Sequence, residues 1–277
     1  MDSRIELVIE GGPRPRMGQA LKELWAFRWT VLTFAERDLR LKYRHAVLGV
    51  AWAVIQPLAF MATFAVALGH LAKVPGGGAP YPAFALSALV PWTFLQSGVS
   101  SGANAILTDA SLVRKVYFPR EVPVLGTILG AGVDFGIGLI LFALIGPFFG
   151  ARLSAAWLLA PLLGAVLALL GAGVACGLAA LNIYYRDFRY ALPFALQLWL
   201  FASPVAYPIS VVPERWHRLY VSLNPAAGIL DGFRRVLVLG ELPDLGLLTL
   251  SLVGSLLVAS LGYRIFKSFE PNFADVV

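Results

Sequence analysis

The residues able to do chemistry are few, and their spacing fits no catalytic centre. The sequence contains neither the Gly-x-x-x-x-Gly-Lys-Ser/Thr loop that binds nucleotide phosphates nor the His-Glu-x-x-His motif that binds zinc. Its three histidines, His45, His70 and His217, are too widely spread to indicate a metal site. One cysteine, Cys176, cannot form a disulfide framework. We therefore expect no metal, no cofactor and no catalysis in this chain.

Asp134 is the one acidic residue inside a long apolar stretch, residues 122–149. An ionised carboxylate in the middle of a membrane helix is costly, so such a group faces protein or water and has a partner. Two interpretations stay open: a proton or ion site, or a hydrogen-bonded group with a packing role. The apolar stretches hold no Lys, Arg or second acid at the same depth, which gives an ion-coupled carrier little support.

Aromatic and amide side chains recur at helical spacing in two other apolar stretches. They are Trp52, Gln56, Phe60 and Phe64 in one, and Phe194, Gln197 and Phe201 in the other. Residues three or four apart share a helix face. Aromatic rings beside amides offer flat apolar contact together with hydrogen bonds, which suits a path for sugars. The alternative is that these faces serve packing or lipid contact.

Composition indicates that lipid surrounds most of this protein. Hydrophobic residues make up 58% and charged residues 14% of the 277 residues, against about 25% charged in soluble domains. Six apolar stretches are each long enough to cross roughly 30 Å of hydrocarbon. They are residues 47–71, 81–107, 122–149, 153–183, 191–212 and 245–263. The sequence therefore predicts an all-α integral membrane protein with six transmembrane helices.

The distribution of Lys and Arg predicts the orientation, because cytoplasmic flanks retain these residues. With the N-terminus inside, 16 of the 22 basic residues lie on the cytoplasmic side. Both termini are then cytoplasmic. This orientation also explains the basic charge, so no nucleic-acid partner is expected. We divide the chain into a cytoplasmic N-terminal region (1–46), a six-span domain (47–265) and a cytoplasmic tail (266–277).

Two segments outside the spans are informative. Residues 18–46 mix large apolar and basic side chains, which predicts an amphipathic helix in the inner membrane interface; an ordinary juxtamembrane anchor is the alternative. Residues 212–244 read as two short pieces, the second a helix of about 15 residues starting at Asn224-Pro225 and ending at Gly240. That helix is too short to cross, so we predict a re-entrant outer hairpin, which requires protein or water to satisfy its backbone.

Glycines in the third and fourth spans predict close helix contacts. The third carries Gly126, Gly130, Gly132 and Gly136, and the fourth carries Gly173 with Gly177. Small residues four apart let two helix backbones approach closely in lipid. We interpret them as packing positions.

Several motifs together resemble a known family of membrane subunits. They are LKYR at 41–44, LGVAWAVIQP at 48–57, LVPW at 89–92, LVRKVYFP at 112–119, Asn182 with YRDFR at 185–189, SPV at 203–205 and Asn224-Pro225. In this order they resemble the permease subunit of bacterial ABC polysaccharide exporters, the type-2 exporters of O-antigen, teichoic acid or capsular glycans. The resemblance covers about residues 20–265.

The resemblance implies a homodimer of six-helix subunits in the bacterial inner membrane, paired with two copies of a cytoplasmic ATP-binding subunit that holds ATP and Mg. The dimer would form a channel for a lipid-linked polysaccharide. Loops 108–120 and 184–190 would dock on the ATPase, with the charged residues Arg114, Lys115, Arg186, Asp187 and Arg189. For the basic residues among them, orientation alone is an alternative explanation.

The resemblance also suggests a role for the basic residues before the first span. Arg40, Lys42 and Arg44 would lie at headgroup level, where they could hold a pyrophosphate-linked lipid anchor or gate its entry. Other functions stay open as alternatives: a related ABC permease for a drug or another lipid, a membrane-embedded transferase acting on lipid-linked sugars, and a non-catalytic structural membrane protein.

Overall fold

The structure is a computed structural model that describes residues 17–44, 49–185 and 187–273. Within these ranges the chain is helical and no residue lies in a β-strand. We number the α-helices in chain order: α1 (Met17–Ala26), α2 (Arg28–Arg44), α3 (Trp52–Phe64), α4 (Tyr81–Thr108), α5 (Ala110–Lys115), α6 (Glu121–Ile145), α7 (Ala160–Tyr184), α8 (Asp187–Ala202), α9 (Glu214–Leu223), α10 (Pro225–Arg234) and α11 (Leu245–Phe269).

Four segments of the described chain are long and apolar enough to cross a membrane. They are Trp52–Leu71, Glu121–Phe149, Ala155–Tyr184 and Leu245–Phe269. These match the first, third, fourth and sixth predicted spans, so the prediction of an all-α multi-pass membrane protein is confirmed at this level. The second predicted span is α4, which has the length of a span at 28 residues but carries several polar side chains.

The fifth predicted span, residues 191–212, is not one continuous helix. α8 covers only 16 residues and ends at Ala202, which corresponds to a rise of roughly 24 Å. Pro204 and Pro208 follow, and proline has no N–H to continue a helix. The chain then turns through residues 203–213 into α9.

α4 lies at the centre of the bundle, packed between α6 and α7. Several of its large side chains are fully buried, among them Phe84 and Trp92. The Trp92 ring meets the ring of Trp199 of α8 edge to face, with centroids 5.7 Å apart. This contact ties the short helix α8 to the central helix.

α7 and α11 form the closest helix pair in the described chain. A Cβ atom on Gly262 would lie 1.9 Å from the carbonyl oxygen of Gly173, and one on Gly173 would lie 2.4 Å from the Cα of Ala259. Gly177 faces Gly262 in the same seam. The packing role predicted for the glycines of the fourth span is therefore confirmed.

The N-terminal segment forms two helices, since α1 and α2 are separated by a turn at Phe27. α2 packs along α6 in the same direction. Phe34 of α2 lies so close to Gly126 that a Cβ there would approach the Phe34 Cβ to 2.7 Å. The Phe34 ring also contacts Phe118, just before α6. The expected single helix over residues 18–46 is thus a pair of helices, the second fixed to a transmembrane segment.

α9 and α10 are two short helices between α8 and α11 that contact each other as a hairpin. α10 is continued by a π-helical turn, Arg235–Leu239, and ends at Gly240 with a φ of 70°, so the expected helix of about 15 residues is confirmed. Asn224 does not cap α10 with its side chain. Its amide instead donates to the carbonyl of Ala202 and to the Ser203 hydroxyl, fastening the hairpin to the end of α8.

Candidate functional site

Asp134 is held by two side chains from the end of α2. Lys42 Nζ lies 2.5 Å from one carboxylate oxygen, and the Tyr43 hydroxyl donates to the other at 2.5 Å. The expectation that this carboxylate has a partner is confirmed. The inference that no basic residue reaches its depth is wrong, because α2 runs alongside α6 and delivers Lys42 from outside the apolar stretches. The sequence pattern of a single helix cannot reveal such a partner.

A second ion pair joins α2 to the turn between α4 and α5. The Arg37 guanidinium donates two parallel hydrogen bonds to Asp109, both 2.7 Å long, and also contacts Asp38. The hydrogen bond to Asp109 raises the pKa of Arg37 above its ordinary value. Because Asp109 immediately precedes α5, this ion pair links the start of α5 to α2.

A polar cleft opens between α2, α3, α4 and α6. It consists of a cavity of about 270 Å³ that reaches toward α3 and one of about 520 Å³ that reaches toward Asp109. Six of the lining residues are common to both cavities: Lys42, Ser97, Ser100, Ser101, Ala131 and Asp134. The two cavities therefore adjoin each other, with the Lys42–Asp134 pair between them. We call this space the polar cleft.

The wall of the polar cleft contributed by α4 was not singled out from the sequence. Its polar side chains are Thr93, Gln96, Ser97, Ser100, Ser101, Asn104 and Thr108. Their spacing of three and four residues places them on one helix face. This periodicity is present in the sequence and indicates a polar helix face. The interpretation of residues 81–107 as an apolar span did not take it into account.

Residues 98–102 have the spacing Gly-x-Ser-x-Gly, with Ser100 at its centre. In a nucleophile elbow this motif sits at a sharp turn between a strand and a helix. Here it lies in the interior of helix α4, with helical turns on both sides. The two glycines instead allow close packing, since a Cβ on Gly98 or Gly102 would lie within 3 Å of Ile128 or Ala175. Ser100 is thus a cleft residue and lacks the geometry of a hydrolase nucleophile.

The residues predicted to form a substrate path fall in different environments. Trp52 and Gln56 line the polar cleft. Phe60 is exposed, whereas Phe64 packs partly against the core. The three residues of the other set, Phe194, Gln197 and Phe201, are exposed on α8 and do not line the cleft. The subunit alone does not bring the two sets into one surface.

The residues predicted to contact an ATPase lie at one end of the bundle. Arg114 and Lys115 are exposed at the end of α5, between α4 and α6. Asp187 and Arg189 are exposed in the first turn of α8. Since α6 and α7 cross the bundle in opposite directions, the two connections share an end. Arg186 lies outside the described residues.

The same end contains a buried acidic group. Glu121, 1% exposed at the start of α6, accepts hydrogen bonds from Tyr263 and Lys267 near the end of α11. Lys267 also contacts Glu270, and burial raises the pKa of that carboxyl. The described residues contain no group of three or more acidic, histidine or cysteine side chains able to hold a metal ion. We therefore interpret the hydrogen bonds of Glu121 with Tyr263 and Lys267 as a structural connection between α6 and α11.

The basic residues predicted at headgroup level are not equivalent. Arg40 is exposed and paired with Glu36 one turn earlier. Lys42 is engaged with Asp134. Arg44 is exposed at the end of α2. Two of the three cations are thus already neutralised by a carboxylate of the same chain.

Arg234, at the end of α10, is a buried cation. From the sequence we interpreted it only as a loop residue. Its guanidinium stacks on the ring of Phe84 at 3.7 Å and donates to the carbonyl of Pro204. Nε and Nη1 have no hydrogen-bond partner. The stack fastens α10 to α4, so Arg234 is a structural link between the hairpin and the bundle.

Comparison with known proteins now identifies the class. Residues 30–238 match the model of the ABC-2 type transporter family, so the chain belongs to that family. It is a transport subunit and not an enzyme, as the resemblance implied.

Individual relatives are named after glycan export. The chain is 26% identical over 266 residues to the O-antigen export system permease protein RfbA of Myxococcus xanthus, covering 94% of this chain and all of the relative. It is 23% identical to a protein of the same name from Klebsiella pneumoniae, over 89% of this chain and 94% of that protein. It is 20% identical to the polysialic acid transport protein KpsM of Escherichia coli, over 87% and 93% respectively.

Proposed function

We propose that this protein is the channel-forming permease subunit of an ATP-driven exporter that moves a lipid-linked polysaccharide of O-antigen type across the bacterial inner membrane. The observation that carries the proposal is the full-length similarity to a permease named for O-antigen export. The apolar helices supply the membrane domain. The energy source is a separate cytoplasmic ATPase, which binds ATP and Mg.

The proposed arrangement has six spans, both termini in the cytoplasm and the α9–α10 hairpin re-entering from the outer side. α4 and α8 complete the six, α8 with the help of the turn that follows it. The buried residues of α10 support the re-entrant position, because its whole length packs inside the bundle. The exposed Arg114, Lys115 and Arg189 then face the cytoplasm, where basic residues are retained.

The proposed assembly is a homodimer bound to two ATPase subunits. α3 continues into a π-helix, Ala65–Leu71, and Pro57 is the one buried residue of the segment Trp52–Leu71. Large aromatic side chains are exposed on α3 and α8, including Trp52, Phe60, Phe194 and Phe201. A second copy facing these helices would enclose them, forming a channel lined by rings and amides that an extended glycan can pass.

Deleting the gene in its host tests the proposal. We expect surface glycan to disappear and lipid-linked glycan to accumulate inside the cell, and expect this chain with its neighbouring ATPase to restore export. Unchanged surface glycan in the deletion strain would contradict the function.

Contact with the ATPase can be tested in the same system. Arg114→Glu combined with Lys115→Glu should abolish copurification of the ATPase, since it reverses both exposed cations of α5. Arg152→Glu is the matched control, because Arg152 is exposed at the opposite end of the bundle. Loss of the ATPase in the control as well would argue against docking at α5.

A further inference from the structure

The polar cleft presents hydrogen-bonding groups that the fold itself does not use. The hydroxyls of Ser97, Ser100 and Ser101 make no hydrogen bond to another described residue. Other hydroxyls of α4 and α6, such as those of Thr93 and Thr127, donate to the carbonyl three residues earlier. The serine hydroxyls of the cleft therefore remain available, as donors and acceptors, to whatever enters it.

The cleft also offers flat apolar surface next to these hydroxyls. Trp52 is 49% exposed within the subunit and lines the cavity near α3, together with Tyr43 and Phe94. The Gln96 amide accepts from the Trp92 indole and keeps its own donors. Rings with neighbouring hydroxyls and amides match a pyranose, which has an apolar face and a rim of hydroxyl groups.

The charges of the cleft favour a neutral ligand over an anion. Arg37 is engaged by Asp109 and Asp38, and Lys42 by Asp134. The cleft therefore has three carboxylates for two cations. A phosphate or pyrophosphate would have to displace a carboxylate from each cation and would meet like charge, which is unfavourable. An acyl chain would leave the serine hydroxyls without hydrogen-bond partners, which is unfavourable.

We propose that the polar cleft binds neutral sugar units of the exported glycan within a single subunit, next to the aromatic surface of α3 and α8. The inference rests on the proposed export function. The larger cavity of the polar cleft, about 520 Å³, falls in the range of roughly 300–1,000 Å³ that small-molecule sites occupy. Trp52 and Gln56 belong to both surfaces, so the cleft adjoins the channel at α3.

Cysteine protection in the assembled exporter tests the site. Cys176 is the only cysteine and is buried, so Cys176→Ala provides a background without reactive thiols. Ser101→Cys in this background is nearly isosteric and places a thiol in the cleft. We expect its reaction with N-ethylmaleimide to slow about tenfold in cells that make the glycan, as for a site occupied about nine-tenths of the time. The reference is a strain lacking the transferase that adds the first sugar.

Ser210→Cys is the matched control, because Ser210 is exposed in the turn between α8 and α9, away from the cleft. It should react equally fast in both strains. Protection of the Ser101→Cys thiol in both strains would assign the cleft to the lipid phosphate and overturn the sugar site. Equal, fast reaction in both strains, with surface glycan still present on the glycan-producing strain, would also overturn the sugar site but leave the export function standing. Failure of the Cys176→Ala complex and the wild type alike to restore surface glycan would instead refute the function.

Discussion

The polar cleft and the exposed aromatic faces of α3 and α8 differ in how much of each site one subunit supplies. The cleft has walls from four helices, and its charges are paired by residues of the same chain. The aromatic faces lack a covering partner within the described subunit. Substitutions in the cleft should therefore affect the folded subunit itself, whereas those on the open faces should affect assembly and passage.

Among substitutions in the polar cleft, the largest effect is expected from reversing the charge of Asp134. Asp134→Lys places a second cation against Lys42 and leaves both without a carboxylate. We expect a loss of about 2–3 kcal/mol, below the usual cost for buried pairs because Lys42 is half-exposed. The subunit should nearly vanish from membrane fractions on immunoblots. Asp134→Asn keeps an acceptor for Tyr43, so this variant should accumulate within about threefold of the wild-type amount. If Asp134→Lys accumulates to the wild-type amount, the Lys42–Asp134 pair does not contribute to folding.

The Arg37–Asp109 pair should show the next largest effect, on export. Arg37→Glu opposes two carboxylates and should lower surface glycan about tenfold, equivalent to about 1.4 kcal/mol. Combining it with Asp109→Arg restores an ion pair of reversed polarity and should recover about half of the activity. If the double variant is no better than the single, the pair does not act as a unit. Quantifying surface glycan in complemented cells distinguishes these outcomes.

Phe194 tests the open faces. The side chain is 66% exposed, so Phe194→Ser should leave the amount and melting temperature of the subunit unchanged. We expect export to fall about threefold, because in the proposed dimer this side chain faces the second copy or the glycan. Leu192→Ser on the same helix is the contrasting variant: Leu192 is 7% exposed, and losing its buried chain should cost about 2–5 kcal/mol. Equal destabilisation by both variants would mean that α8 is not open on the Phe194 side.

Arg40→Ala should have the smallest effect. The Arg40–Glu36 pair is exposed, and such pairs contribute about 0–1 kcal/mol. Export should stay within about twofold of wild type. A drop beyond about fivefold, with normal subunit amounts, would give Arg40 a direct contact with the lipid-linked substrate.

The features that the sequence predicted correctly are those that depend on a single helix. Apolar length identified the segments later seen as α3, α6, α7 and α11. The glycine spacing of α7 predicted its close approach to another helix. Asn-Pro at 224–225 located the start of α10. Each of these signals is local, so it survives whatever the helix packs against.

What the sequence missed depends on contacts between distant segments. Lys42 lies 92 positions from Asp134, and no periodicity links them. Arg37 and Asp109 are similarly remote, 72 positions apart. The polar face of α4 was visible as a spacing but became a cleft only once α2 and α6 were placed beside it. The helix break after α8 is caused by Pro204 and Pro208, and hydropathy alone does not reveal such a break.

The seam between α7 and α11 limits how the protein can change shape. Backbone meets backbone at Gly173 and Gly262, with no side chain between them that could change rotamer. Sliding one helix past the other would drive a carbonyl oxygen into a Cα atom. In the proposed exporter we therefore expect α7 and α11 to move as one unit, and the loosely packed α3 and α8 to supply the tilting that opens the conduit.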